Sequence, residues 1–179
     1  MKEDIVIEIP KGSNVKYEIL NGNIVVDRIL FGSMFYPENY GYFEETLDWD
    51  GDPLDAIVIS EQGFYPKSRV KVRIIGAMKM IDGGETDTKI ITVIDVDPRF
   101  DHIKKLEDIP KHQLNIYKDF FENYKNLQNK KVIIGGFENL EFALKEIKEA
   151  KELYKKYKNL DKKTFINKMR KEFPNKYIL

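Results

Sequence analysis

Between Asp48 and Asp55 the chain reads DWDGDPLD, four carboxylates in eight residues broken by a glycine and a proline. Negative charge this dense repels itself and raises the carboxyl pKa values unless cations intervene. A second acidic stretch, DGGETDTK, carries Asp82, Glu85 and Asp87. If both stretches reach one end of a barrel, their hard oxygen donors suit divalent ions such as Mg²⁺. A calcium loop fits less well. Asp48, Asp50 and Asp52 take the first, third and fifth positions of an EF-hand, but Pro53 replaces the sixth-position glycine and Ile59 the twelfth-position glutamate. Softer metals find few ligands, because the chain has no cysteine and its two histidines, His102 and His112, lie outside both stretches. Each stretch alone also reads as a solvated surface turn.

Cations and phenols are interleaved with the acids in KYEI, VDRI, FYPENYGY and NYK. Lys16 and Glu18 alternate along an expected strand and so share a face, and Lys89 shares one with Asp87 if its strand extends back that far. Ammonium, guanidinium and phenol donors beside metal-binding carboxylates make a site for a small polyanion, with phosphate the obvious candidate. Taken singly, Tyr36 and Tyr40 read equally well as core aromatics, and Lys16 or Arg28 as surface charges.

Short β-branched segments must position these groups. Strands are expected at Asp4 to Ile9, Val15 to Leu20, Ile24 to Phe31, Ala56 to Ile59, Arg69 to Met80, Lys89 to Val96 and Val132 to Ile134. With no long helices between most of them, they suggest an antiparallel barrel or sandwich. Helices come late. Asp108 and Pro110 are expected to cap and open one with Leu114, Tyr117, Phe121 and Tyr124 on one face. A long amphipathic helix follows from Asn139, and Asp161 caps a third that carries Phe165, Ile166 and Met169 and ends at Phe173-Pro174.

At 179 residues and 42% hydrophobic content the chain fits one domain, 1–179, in which 158–179 is a basic helical extension. Lysine plus arginine equals aspartate plus glutamate at 30 each, so no bulk charge seeks nucleic acid or an anionic membrane. From Glu141 onward twelve basic residues face six acidic ones, which leaves the expected barrel on the acidic side. The absence of cysteine and of a membrane-length apolar run is compatible with the cytoplasm.

The motifs IEIPKGSNVKYEI, VDRI, MFYPENYGY, DGDPLD, KMIDGGETDTKI, FDHIKKLEDIP and FFENYKNL, in this order from Ile7 to Leu127, resemble the family I soluble inorganic pyrophosphatases of prokaryotic type. The resemblance implies a mainly β fold with α, a closed OB-like five-stranded barrel flanked by two or three helices. It implies hydrolysis of pyrophosphate to two phosphates with several Mg²⁺ ions per site. By motif, Asp50, Asp55 and Asp87 would hold a first metal, Asp55 also a second, and Asp82 with Asp87 one that arrives with substrate. Glu18 would support another through water. Asp52 resembles the general base. Lys16, Arg28, Lys89, Tyr124 and Lys125 would grip phosphate oxygens, with Tyr40 near the nucleophile and Glu8 and Tyr36 in support.

Two regions depart from the family pattern: the chain starts almost at the first strand, and it runs on past the usual end. Asp119 and Asn123 stand where a hexameric bacterial member would carry histidines, yet a homo-oligomer, a hexamer for preference, remains the expectation. Two other readings compete. An OB-type nucleic-acid module would use the tyrosines for stacking, although a DGDPxD turn repels a phosphate backbone. An idle metal binder would leave the lysine, arginine and tyrosine set without a role.

Overall fold

The β-branched runs become strands in a computed structural model that describes residues 2–177. The chain order is β1 (Lys2–Ile9), β2 (Val15–Leu20), β3 (Asn23–Ile29), β4 (Asn39–Phe43), β5 (Asp55–Ile59), β6 (Arg69–Asp82), β7 (Glu85–Thr86) and β8 (Lys89–Ile94). After these come α1 (Lys111–Asn123), β9 (Val132–Glu138), α2 (Leu140–Tyr157) and α3 (Lys162–Glu172). The last two residues of the expected 158–179 extension, like residue 1, lie outside the described residues.

Five strands in the order β1, β4, β5, β8, β6 close into a barrel through the β1–β6 pairing. β7 and β9 extend β6 beyond the ring, and β2 with β3 forms a separate hairpin. The expected antiparallel arrangement holds around the ring except at one place, where β5 and β8 run parallel. Parity explains it: around a ring with an odd number of strands, direction cannot alternate at every step, so one pairing at least must be parallel.

β4 was not among the expected strands. Its NYGYF sequence is aromatic enough for a strand, but Gly41 reads as a breaker. In the barrel that glycine is a packing requirement, because a Cβ there would collide with the Val6 carbonyl oxygen on β1. A side chain at this position would force the two strands apart.

One apolar cluster lies between the outer face of the barrel and α1, where Ile57, Ile91 and Val93 meet Tyr117, Phe120 and Phe121. A second joins Ile5, Val72 and Ile74 to Ala143, Ile147 and Ala150 of α2. The third is smaller, with Trp49 set among Leu153, Tyr157, Phe165 and Met169, so α3 completes a core that begins beside the acidic turn. Buried Glu38 ties α1 to the barrel by accepting from Lys11 Nζ at 2.9 Å and Tyr117 O–H at 3.0 Å.

The helix starts follow their caps in two cases of three. Asn139 accepts from the Phe142 N–H and Asp161 from the Thr164 N–H, each at 3.0 Å. The expected Asp108 cap is corrected: Pro110 precedes α1, and the Asp108 carboxylate instead accepts from the Lys104 and Lys105 N–H groups at 2.8 and 3.0 Å. Competing backbone donors four and three residues upstream take the oxygen that would have capped the helix.

Candidate active site

Strand direction decides where the acidic loops arrive. β5 and β8 are parallel, with Ala56 paired to Ile90, so their first residues Asp55 and Lys89 emerge at the same end of the barrel. β6 runs antiparallel to β8, which brings its last residue, Asp82, and the Gly83-Gly84 turn to that end as well. Ahead of β5 the 48–53 turn closes on itself. The Asp48 N–H donates to the Asp52 carbonyl at 2.7 Å, the Asp52 N–H donates to Asp50 Oδ1 at 3.0 Å, and Gly51 supplies a φ of 81°.

These groups line one cavity of about 930 Å³. Asp50, Asp52, Asp55, Asp82, Glu85 and Asp87 supply its carboxylates, and Lys16, Arg28, Lys89 and Lys125 are among its cations. Lys16 and Arg28 face each other across the β2–β3 hairpin, beside a register slip that leaves Asp27 unpaired on β3. Tyr36, Tyr40 and Tyr124 also line the cavity. They sit in an aromatic wall with Phe120 and Phe121, in which Phe120 and Tyr124 stack at 5.3 Å between centroids. That wall fixes three phenols without spending flexible side chains on the task.

Lys89 is the electrostatic centre. It is 1% exposed, its ammonium contacts both Asp55 Oδ2 and Asp87 Oδ1, and it lies 5.5 Å from the centroid of the Tyr40 ring. Burial alone would lower its pKa, and the Asp55 and Asp87 carboxylates outweigh burial and hold it well above the ordinary value. Tyr40 O–H donates to the same Asp55 oxygen, and Lys125 Nζ contacts Asp82 Oδ2. Even so, the neighbouring cations do not hold every carboxylate down. Burial, then the Asp87, Asp52 and Asp55 carboxylates, push Asp50 up to about 8 against the pull of Lys89. Burial also raises Asp87, and Asp48 Oδ2 is buried with no hydrogen-bond partner among the described residues.

Among the described residues no three His, Asp or Glu side chains converge at metal-binding geometry. The donor chemistry still fits a hard divalent ion. Every candidate ligand is a carboxylate, Asp50, Asp55, Asp82 and Asp87 lie together in the cavity, and burial with neighbouring carboxylates raises Asp50 and Asp87, a cost a bound cation would relieve.

Of the residues singled out from sequence, Lys16, Arg28, Tyr36, Tyr40, Asp50, Asp52, Asp55, Asp82, Glu85, Asp87, Lys89, Tyr124 and Lys125 line this cavity. Glu8 and Glu18 do not. Glu8 lies behind Lys16, its Oε2 3.6 Å from the ammonium, and burial raises its pKa to about 7 against the pull of Lys16. Glu18 sits on β2 opposite Val25. His102 and His112 are exposed and remote from the lining. Sequence reasoning missed Lys130, Lys131 and Lys162, which also line the cavity. The first two follow the NYK motif closely enough to have been suspected, whereas Lys162 belongs to α3 and only the fold brings it here.

The chain matches the family model described as inorganic pyrophosphatase over residues 5–155. It is 58% identical over 179 residues to the inorganic pyrophosphatase of Malacoplasma penetrans, which covers 99% of both chains. It is 48% identical over 176 residues to that of Mycoplasma pneumoniae, covering 97% of this chain and 96% of the relative. Among solved structures, the inorganic pyrophosphatase of Helicobacter pylori superposes with a TM-score of 0.83 at 43% identity, over 86% of this chain and 94% of that one. The enzyme of Thermus thermophilus gives 0.82 at 39% identity, over 86% and 91%. A five-stranded mixed barrel with its acidic loops at one end, a family match over most of the chain and relatives aligned from end to end agree: the chain belongs to the inorganic pyrophosphatase family.

Proposed function

We propose that this chain hydrolyses inorganic pyrophosphate to two phosphates with the help of divalent ions, Mg²⁺ foremost. One observation carries the reading: five aspartates and seven cationic side chains meet in a single cavity, on a fold whose relatives are inorganic pyrophosphatases. When bound, divalent ions supply Lewis acidity, which acidifies water and offsets charge on phosphate oxygens. Asp50, Asp55 and Asp87 would hold one ion, Asp55 also a second, Asp82 and Asp87 a substrate-associated one, and Glu18 another through water.

The chain's own groups then divide the work. Water adds to one phosphorus, the bond from that phosphorus to the bridging oxygen breaks, and the bridging oxygen leaves with the second phosphate. Asp52, the most solvent-facing of the clustered aspartates, takes the proton that the attacking water sheds. Lys16, Arg28, Lys89 and Lys125 oppose the charge of the phosphate oxygens, and Tyr124 donates from a phenol that burial keeps protonated. Tyr40 holds Asp55 through its O–H, and Tyr36 supports Tyr40 at 5.3 Å between ring centroids. Glu8 orients Lys16 from behind.

Residues 1–179 act as one catalytic unit in this reading. Ile24, Val26 and Ile29 stand exposed on the β2–β3 hairpin, which gives a homo-oligomer, a hexamer for preference, an apolar face to cover. Neither nucleic acid nor a membrane has a part, and no helix among the described residues is long and apolar enough to cross a bilayer. Asp52→Asn tests the base: the variant folds normally while turnover near neutral pH drops by roughly 10²–10⁴-fold. Wild-type turnover in that variant would remove Asp52 from the role.

A further inference from the structure

The family match ends at residue 155, and α3 starts at Lys162. The bland reading of this helix is a cap on the third apolar cluster, and Phe165 and Met169 do face Trp49 and Tyr157 there. A helix has more than one face, however, and the second is spent on the active site. Lys162, Ile166 and Arg170 recur every four residues, so they line a common stripe. Lys162 Nζ pairs with Asp52 Oδ2 at 2.5 Å. Its aliphatic stem, with Ile166, lies over Gly51: a Cβ built on that glycine would be 2.8 Å from Lys162 Cγ and 3.6 Å from Ile166. One turn further, Arg170 pairs with Glu85 at 2.7 Å, in the other acidic loop.

The segment after the helix repeats the pattern. Tyr177 donates to the Trp49 carbonyl at 2.6 Å and bridges backbone to backbone with Glu85, while Thr86 donates to the Lys176 carbonyl at 2.7 Å. Residues 162–177 therefore touch both loops that carry the clustered aspartates. A cap alone would need neither Lys162 nor Arg170. The Lys162–Asp52 pair is also too exposed to matter for stability, with side chains 52% and 56% accessible. Its consequence lies in where the Asp52 carboxylate points.

We propose that α3 is part of the active site: Lys162 is a positioning residue that orients the Asp52 carboxylate, and the stripe it shares with Ile166 and Arg170 sets the Asp52 turn against the Glu85 turn. The inference deepens the proposed function and rests on it, with Asp52 as the proton acceptor. A lysine on one oxygen of Asp52 leaves the other to meet water, and the rigid helix behind it keeps that direction constant from one turnover to the next.

The test uses the full chain as Lys162→Ala, Lys162→Arg and the neighbouring charge control Lys163→Ala, with two readouts. In the metal-free protein, amide hydrogen exchange across residues 50–53 should quicken about three- to tenfold in Lys162→Ala and stay as wild type in the control. With Mg²⁺, Lys162→Ala should lose about three- to tenfold in kcat for pyrophosphate with KM held within about twofold, since positioning acts on the reacting state. Lys162→Arg should recover most of both, because guanidinium forms the same pair. The thermal midpoint should move by no more than about 2 °C. Unchanged exchange, or unchanged kcat, overturns the positioning role; lowered kcat with wild-type exchange makes Lys162 a direct charge contact and overturns it as well. Wild-type turnover is measured first. Its absence refutes the proposed function, while the exchange experiment still decides whether Lys162 orders the turn.

Discussion

Lys89→Met removes the buried cation and keeps its length and apolar stem. Lys89 contacts Asp55 and Asp87, and the side chains of the three are only 2%, 19% and 9% exposed. Removing one partner from such a cluster strands its counter-charges, which costs about 3–5 kcal/mol in buried settings. The accessible edge of Asp55 places this case at the lower end, about 3 kcal/mol. For a chain of this size that corresponds to a fall of roughly 6–12 °C in the thermal midpoint. The pH dependence has a definite sign. Asp87 is raised in the folded protein mainly by burial, and Lys89 is what opposes the rise. A carboxyl with a raised folded pKa favours the fold below its unfolded pKa and loses that contribution as pH climbs through the folded value. Without Lys89 the loss deepens, so the variant's deficit should be full near pH 8 and shrink on acidification. Thermal unfolding followed by circular dichroism in chelator, at about pH 8 and about pH 5, measures both quantities. A midpoint within about 2 °C of wild type, or a deficit equal at the two pH values, would refute the placement of Lys89 as the counter-charge of the two aspartates.

Glu8 gives the opposite experiment. Its pKa rises from 4.5 to about 7 on folding, so its stabilising share is complete below the unfolded value and gone above the folded one. Glu8→Gln should therefore stabilise the protein by roughly 3 kcal/mol near pH 9 and hardly at all near pH 4.5, read from urea unfolding; an equal effect at both would contradict the shift. Gly41→Ala should destabilise by about 2 kcal/mol or more in the same assay, because the added Cβ collides with the β1 backbone, and a neutral result would show that β1 and β4 can part cheaply.

Local signals carried most of the strands and two of the three helix starts, because alternation and caps are short-range facts. What escaped depends on chain closure. Gly41 reads as a breaker until β1 is seen to approach it, and the parallel β5–β8 pairing follows from the parity of a five-membered ring, which no window of residues contains. Asp108 failed as a cap because two upstream N–H groups, of Lys104 and Lys105, claimed its carboxylate. The acidic motifs were legible as chemistry, and the parallel pairing accounts for their meeting at one end. Lys89, expected to reach for phosphate, lines the cavity with its ammonium set against Asp55 and Asp87, a depth its sequence neighbourhood does not reveal. Lys162 stood in a basic run that reads as a solvated face. Its contact with Asp52 spans 110 positions, and only the docking of α3 onto Trp49 brings the two together.

The most direct measurement is phosphate release by the purified chain from pyrophosphate, with and without Mg²⁺, beside ATP and a phosphomonoester as alternative substrates. Rapid release from pyrophosphate, dependent on the ion and absent from the other two, is the expected result. A folded, metal-supplied protein that releases no phosphate from pyrophosphate would contradict the proposed reaction and leave the clustered aspartates with a binding role alone.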